Sequence, residues 1–521
     1  MSRPPARFRR GGWSVHNVAA SYGGTVAEGL VFILLTPFLV RELGLAQYGL
    51  WSLAVAFVDW AQMCDLGLRE GIMKFTAAHQ ARAESREVRR VADAALFVYA
   101  IIGLAVLVLL AAFCWMILPS LVHRTSSLEL MRAAVMLLGV STAISFPAGI
   151  AGTLLEGLSR FEILNAIRVG HAALRLALVV LALQFGFGVF GLAAAELIAR
   201  LGLHAARWAS LIRVYPDLVP RPKAHRGVLT RLFDFGLWNV ARQIAEVTMA
   251  RMNEPVLSIF AGLPSVGAFH AGRRLATMPG EAIVPMAGVL FPLSSEMEAG
   301  GREEALRETL FKATKIASVI ALPLVLILAF GAAPIQTNWL GNRAPEAEGV
   351  MRVFAVAFLF VACSMPAESM LLGWGRVRLL ALAGVAHTVV TLAVGIPLTR
   401  RLGAVGLAIA SLVAVISTQF VVFLPAAARR CGARPLGLFV KSILPAWLAG
   451  TPVALAMLAA GTRISGGGLA ALATWGGGAV LAYLAILWRI GLDADERAFV
   501  RTHARRLFLA RSRDDDWEEW K

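Results

Sequence analysis

The chain has 521 residues, 58% of them apolar and 16% charged, with a mean hydropathy of +0.70. That balance describes a polytopic membrane protein and excludes an ordinary soluble domain. A net charge of +17 would suggest nucleic acid in a soluble protein; here the basic residues fall mainly in loops on one side, where such charge sets topology, and no nucleic-acid partner is expected.

Apolar runs long enough to span a bilayer core predict about fourteen transmembrane helices, over roughly 16–40, 46–67, 92–118, 130–154, 162–184, 189–211, 230–260, 265–293, 312–334, 348–372, 377–399, 403–427, 438–461 and 467–489. The basic N-terminal stretch runs into the first helix without a small-residue cleavage site, which predicts a retained cytoplasmic end. Positive charge gathers before that helix (Arg3, Arg7, Arg9, Arg10), after the second (Lys74, Arg82, Arg86, Arg89, Arg90), and at and after the end of the sixth (Arg207, Arg213, Arg221, Lys223, Arg226). It recurs after the twelfth and in the tail, so both termini are expected in the cytoplasm. Cys64, Cys114, Cys363 and Cys431 show no paired spacing; structural free thiols are expected rather than a metal or redox centre.

The chain is duplicated. Asn17-Val18-Ala19 recurs as Asn239-Val240-Ala241, and Gly44-Leu45 with Gly49 recurs as Gly262-Leu263 with Gly267. Pro147-Ala148 matches Pro366-Ala367, Gly157 with Arg160 matches Gly373 with Arg376, and Gly188 with Gly191-Leu192-Ala193 matches Gly403 with Gly406-Leu407-Ala408. The matches run in order about 220 residues and six helices apart, so the halves share one orientation, as in transporters built from parallel repeats. The fold class expected is all-α: two parallel six-helix lobes (1–211 and 230–430) joined by a cytoplasmic linker (212–229). Two additional transmembrane helices (431–490) and a cytoplasmic tail (491–521) follow.

Two stretches carry charge where a membrane helix should be apolar. At 100° per residue Asn239, Arg242, Gln243, Glu246, Asn253 and Glu254 share a stripe about 120° wide, with Arg251 beyond its edge. His270, Arg273, Arg274, Thr277 and Glu281 share another, and Asn17, Ser21 and Glu28 a third. Ionisable groups at membrane depth mark substrate or ion paths. Arg242, Arg251, Arg273, Arg274, Asn17, Asn239, Gln243 and His270 are therefore the candidate substrate-binding residues of a mainly cationic cavity. Glu28, Asp59, Glu246 and Glu281 are the candidate coupling or cavity acids. Glu246, one turn from Arg242, is expected to hold that arginine in place; Glu28 has no basic residue within a turn and is the better candidate to take a proton or Na+. Apart from such coupling no cofactor or metal is expected. Arg168, His171 and Arg175 repeat at helical spacing in the fifth helix; His171 and His387 are read as packed interface groups, and Glu196 with Arg200 as an intramembrane ion pair. The longest loops, 68–91 and 212–229, are merely basic, and no Walker motif, ligand cluster or nucleophile elbow occurs, so no enzyme and no catalytic residue is expected.

Residues Pro37–Trp51 (PFLVRELGLAQYGLW), Asp65–Leu68 (DLGL) and Lys74-Phe75, preceded by Asn17, resemble the polysaccharide/O-antigen flippase family of the multidrug/oligosaccharidyl-lipid/polysaccharide exporter superfamily. Phe291–Glu296 (FPLSSE) followed by Gly301-Arg302 adds to the likeness, which covers roughly residues 10–430 in layout. It implies a V-shaped bundle that alternates between cytoplasmic-open and outward-open forms in the bacterial inner membrane. The related lipid II flippase has two extra C-terminal helices and a cationic cavity. The cargo implied is an undecaprenyl-diphosphate-linked glycan, and a polysaccharide polymerase or glycosyltransferases are the protein partners that would go with it. A multidrug or cation antiporter of the same superfamily is the alternative, although the acidic, arginine-poor cavities of those relatives match Arg242, Arg251, Arg273 and Arg274 poorly.

Overall fold

The computed structural model describes residues 15–65, 67–82, 84–121, 128–460, 468–491 and 497. In chain order the helices are α1 (Val15–Ala61), α2 (Leu68–Ala81), α3 (Ser85–Ala112), α4 (Leu118–Leu121), α5 (Leu128–Gly157), α6 (Phe161–Gln184) and α7 (Gly188–Val214). They continue as α8 (Arg226–Arg251), α9 (Asn253–Phe260), α10 (Leu263–Thr277), α11 (Val284–Ala299), α12 (Glu303–Phe330) and α13 (Ala332–Leu340). The last are α14 (Pro345–Gly373), α15 (Val377–Val415), α16 (Leu424–Arg430), α17 (Pro435–Leu438), α18 (Leu444–Ala459) and α19 (Gly468–Ile486). No strand occurs among the described residues, and the chain is an all-α, multi-pass membrane protein. Ten helices among those residues are long and apolar enough to cross a membrane, rather than about fourteen. The difference has three sources: Val31–Asp65 and Val377–Arg430 each form one continuous run where two helices were expected, α8 carries a charged stripe, and the helix expected over 265–293 is broken into α10 and α11, each too short to span.

The stretch after the second predicted helix is not the loop expected. α2 occupies Leu68–Ala81, because Leu68, Ile72 and Thr76, spaced by one turn, are buried together.

The internal repeat is written into the backbone. α1 breaks at Gly44 (φ 76°, ψ 163°), and its counterpart Gly262 (φ 89°, ψ 170°) separates α9 from α10. Gly188 (φ 53°) and Gly403 (φ 57°) form a second matched pair, and Ser159 (φ 56°) and Gly375 (φ 67°) a third. Side-chain-bearing residues adopt such positive φ at a cost of about 1–2 kcal/mol, so a turn needed twice keeps glycine in five of these six places. A close helix crossing uses the repeat as well. A Cβ on Gly49 would lie 1.9 Å from the carbonyl oxygen of Leu263, and one on Gly267 would lie 2.7 Å from that of Leu45. Leu45 and Leu263 are themselves repeat partners, so α1 and α10 meet reciprocally through two glycines that allow backbone contact.

Contacts divide the chain into two compact units. The first comprises Met1–Met278, Trp339–Val350 and Arg376–Ala414. Its core includes a cluster under α2, α3 and α5 around Ile72, Val91, Leu154 and Leu155, and another around Leu39, Tyr48, Leu192 and Ala271. The second unit comprises Pro279–Asn338, Met351–Gly375 and Val415–Lys521. Within it Gly450 of α18 lets Leu322 of α12 approach closely, and Trp447 stacks on Phe420, with Phe360 and Phe439 edge-on to it.

Candidate substrate site

The first unit holds two charged sites. One forms at the gap between α8 and α9. Pro255 lacks the N–H that would bond four residues back, and its ring crowds the Arg251 carbonyl, so the helix cannot run on unbroken. The chain leaves α8 at Arg251 and resumes at Asn253. The two residues that open α9, Asn253 and Glu254, are 4% and 0% exposed. From α10, Arg273 Nη1 donates to the Ala250 carbonyl, an acceptor in the last turn of α8, at 2.7 Å. The same nitrogen lies 3.6 Å from Glu254 Oε1, and His270 Nδ1 lies 3.8 Å from it. Neither Glu254 oxygen accepts a hydrogen bond among the described residues. Arg251 Nη2 pairs with Asp59 Oδ2 of α1 at 2.5 Å. The guanidinium of Arg274 sits 5.5 Å from the Phe32 ring centre, and Tyr48 packs edge-on against His270 at 6.0 Å.

The other site is a cavity of about 590 Å³, lined from α5, α6 and α7 with contributions from α2, α3 and α8. Four arginines line it, Arg69, Arg168, Arg200 and Arg207, together with His171 and His204. Two carboxylates oppose them, Asp65 and Glu196. Glu196 accepts from Arg175 Nε and from Arg200 Nε, both at 2.8 Å. Asp65 accepts from the Tyr99 hydroxyl, and Arg69 grips Glu156 with one nitrogen on both carboxylate oxygens at 2.7 and 3.0 Å. Arg207 Nε and His204 Nδ1 are buried and find no hydrogen-bond partner among the described residues. His204 Nε2 meets Ser145 Oγ at 3.0 Å. The cavity thus combines a surplus of cationic groups with a donor, Arg207 Nε, that has no acceptor among the described residues, an arrangement suited to phosphate oxygens.

The predicted residues divide between these places. His270, Arg273 and Arg251 gather around the gap, with Asp59 as the partner of Arg251. Gln243 lines the cavity instead, and Glu246 is exposed. The side chains of Asn17, Glu28, Asn239, Arg242 and Glu281 lie outside the described residues. The ion pair of Glu196 with Arg200 is present, and Arg175 joins it. His171 lines the cavity, and His387 is buried. Sequence reasoning passed over Glu254, which lies on the predicted stripe, and it took Arg207 as a topogenic charge. The signal was there: Glu196, Arg200, His204 and Arg207 repeat at helical spacing along one face of α7.

Residues 38–343, more than half of the chain, match the family described as polysaccharide biosynthesis protein. A Shigella flexneri protein named as a candidate O-antigen transporter is 23% identical over 395 residues, covering 74% of this chain and 91% of that one. Among solved structures, the lipid II flippase MurJ in an inward closed conformation aligns with a TM-score of 0.68 at 14% identity, over 91% of this chain and 99% of its own. An inward-facing multidrug resistance MATE transporter gives 0.65 at 19% identity, over 79% and 99%. A transporter from Pyrococcus furiosus, reported for the reverse polarity of its binding pocket, gives 0.61 at 17%, over 80% and 95%. The likeness to these structures is one of fold: they share the MOP superfamily architecture of flippases and drug transporters. The chain belongs to the polysaccharide biosynthesis protein family and has the MOP superfamily fold.

Proposed function

We propose that the protein moves a polyprenyl-diphosphate-linked oligosaccharide across the bacterial inner membrane by alternating access. The observation that carries this reading is the cavity whose lining holds four arginines, Arg69, Arg168, Arg200 and Arg207, against two carboxylates, Asp65 and Glu196, with Glu156 beside it as a partner of Arg69. A diphosphate brings roughly two negative charges, and taking them through hydrocarbon unpaired would cost many kcal/mol. Arginine stays charged at any working pH and offers a planar fork of donors to phosphate oxygens. The lipid tail can remain in the bilayer while the polar head and sugars cross inside the protein. Relatives named for O-antigen and lipid II transport agree with this class of cargo. In this reading the lobes 1–211 and 230–430 rock about 212–229, Arg242, Arg251, Arg273 and Arg274 join the cavity cations along the path, and Na+ or H+ drives the cycle. The drug-exporter alternative would need a site where acids outnumber arginines, the reverse of the cavity lining.

Cell-surface glycan display tests the reading. Arg168→Gln combined with Arg207→Gln should reduce display at least about tenfold at matched membrane levels, since each charge-assisted bond contributes roughly 1.5–3 kcal/mol. The Lys versions should recover only part of it, because the fork is lost. Full display in the double Gln variant would overturn the proposal.

A further inference from the structure

Glu254 presents a problem that the transport reading does not use. It is a fully buried carboxylate in the first turn of α9, and neither oxygen accepts a hydrogen bond among the described residues. A charge in that position persists only if something nearby compensates it. Arg273 and His270 do so, from 3.6 and 3.8 Å, which is contact of charge with charge rather than hydrogen-bond geometry. Arg273 donates a hydrogen bond from Nη1 to the Ala250 carbonyl. The exposures are unequal: Glu254 has no accessible surface, whereas the side chains of Arg273 and His270 each keep 24% of theirs. The two cations therefore present one side to the carboxylate and another to open space.

We propose that Glu254 is a resident counter-anion, holding Arg273 and His270 from their buried side and weakening their grip on an anionic cargo at their open side. This rests on the cargo's being a diphosphate, as argued above. The physical need is plain. Uncompensated buried cations would destabilise the protein without cargo and bind a diphosphate too tightly to let it go, and transport requires binding that is strong enough to capture and weak enough to release. A carboxylate that acts through its charge, unbonded, meets both requirements. Asp59 does the same for Arg251 one turn away, at 2.5 Å, but as a closed pair. Glu254 thus acts on affinity through Arg273 and His270 and is a positioning residue for charge, not a cargo ligand.

The test uses the purified full-length protein in nanodiscs of neutral phosphatidylcholine, with farnesyl diphosphate as the probe. Glu254→Gln should bind it about tenfold more tightly and release it more slowly, while transport in cells falls. Where the Gln variant yields too little protein, Glu254→Asp, which draws the charge back by one methylene, should still tighten binding about threefold. Combining Glu254→Gln with Arg273→Gln should restore stability without restoring transport. Inorganic pyrophosphate and discs containing phosphatidylglycerol, run as competitors, separate a diphosphate from a lipid headgroup as the preferred anion. A carboxylate with only a structural role would lower stability and leave affinity unchanged or weaker; that result, in a protein whose wild type binds the probe and whose Arg207→Gln variant loses it, overturns this proposal alone. Absence of probe binding in the wild type overturns the cargo class together with it.

Discussion

Glu196 and Glu254 are both buried carboxylates in the same compact unit, and both face two basic side chains, yet they are held in opposite ways. Glu196 accepts short bonds from Arg175 and Arg200, one on each oxygen, and shares a cavity with further arginines. Glu254 is the more deeply buried and accepts none among the described residues; its cations stand about an ångström farther off. A closed triad of this kind holds α6 and α7 together through α7's Glu196, whereas a carboxylate balanced only by charge can change its surroundings without breaking a bond. The difference teaches where a transporter puts its fixed and its adjustable charge.

The comparison can be broken most sharply at Glu196. Glu196→Gln leaves two arginines short of a counter-charge and should cost about 3–5 kcal/mol of stability, read as a large fall in melting temperature in detergent. Glu254→Gln should cost less than half as much, because no hydrogen bond is lost. Equal losses would remove the distinction. Next in size is Gly49→Ala, which pushes a methyl group into the Leu263 carbonyl and forces α1 and α10 apart. Overpacking of this kind costs typically 1–3 kcal/mol. Since α10 carries His270 and Arg273, the change should alter probe affinity at the Glu254 site and leave the Arg168 and Arg207 cavity as it was. The smallest effect is expected from Thr142→Val, which removes a 3.4 Å bond from Arg200 Nη1. A loss under about 1 kcal/mol, with transport retained, would show that Glu196 alone fixes Arg200.

Much of this was legible in the residues, for reasons that differ from place to place. The helical period of His270 and Arg273 put them on one face of α10, and they do share a partner there. The repeat of Gly44 as Gly262 could be seen as letters, but that both adopt positive φ and that Gly49 and Gly267 cross reciprocally required the backbone. Pro255 was visible as a potential break; that Arg273 would reach across from α10 to bond the Ala250 carbonyl beside that break was not. Arg207 was misplaced because charge near a helix end has two readings, topological anchor or cavity wall, and hydropathy cannot separate them. Leu68, Ile72 and Thr76 make too short a pattern to announce α2 inside a basic stretch. Gln243 shares its stripe with Asn253 and Glu254 and yet lines the cavity, since a stripe gives a direction from the helix axis and not the neighbour it meets.

The most direct test of the central claim is a transport measurement in vesicles reconstituted with the purified protein. Two cargoes would carry the same oligosaccharide on the same polyprenyl tail, one through a diphosphate and one through an uncharged linker. The account predicts that only the diphosphate-linked form crosses at a protein-dependent rate, and that Arg168→Gln with Arg207→Gln abolishes the difference by slowing it to the level of the neutral form. Equal transport of both forms, or a rate unaffected by the two substitutions, would contradict it.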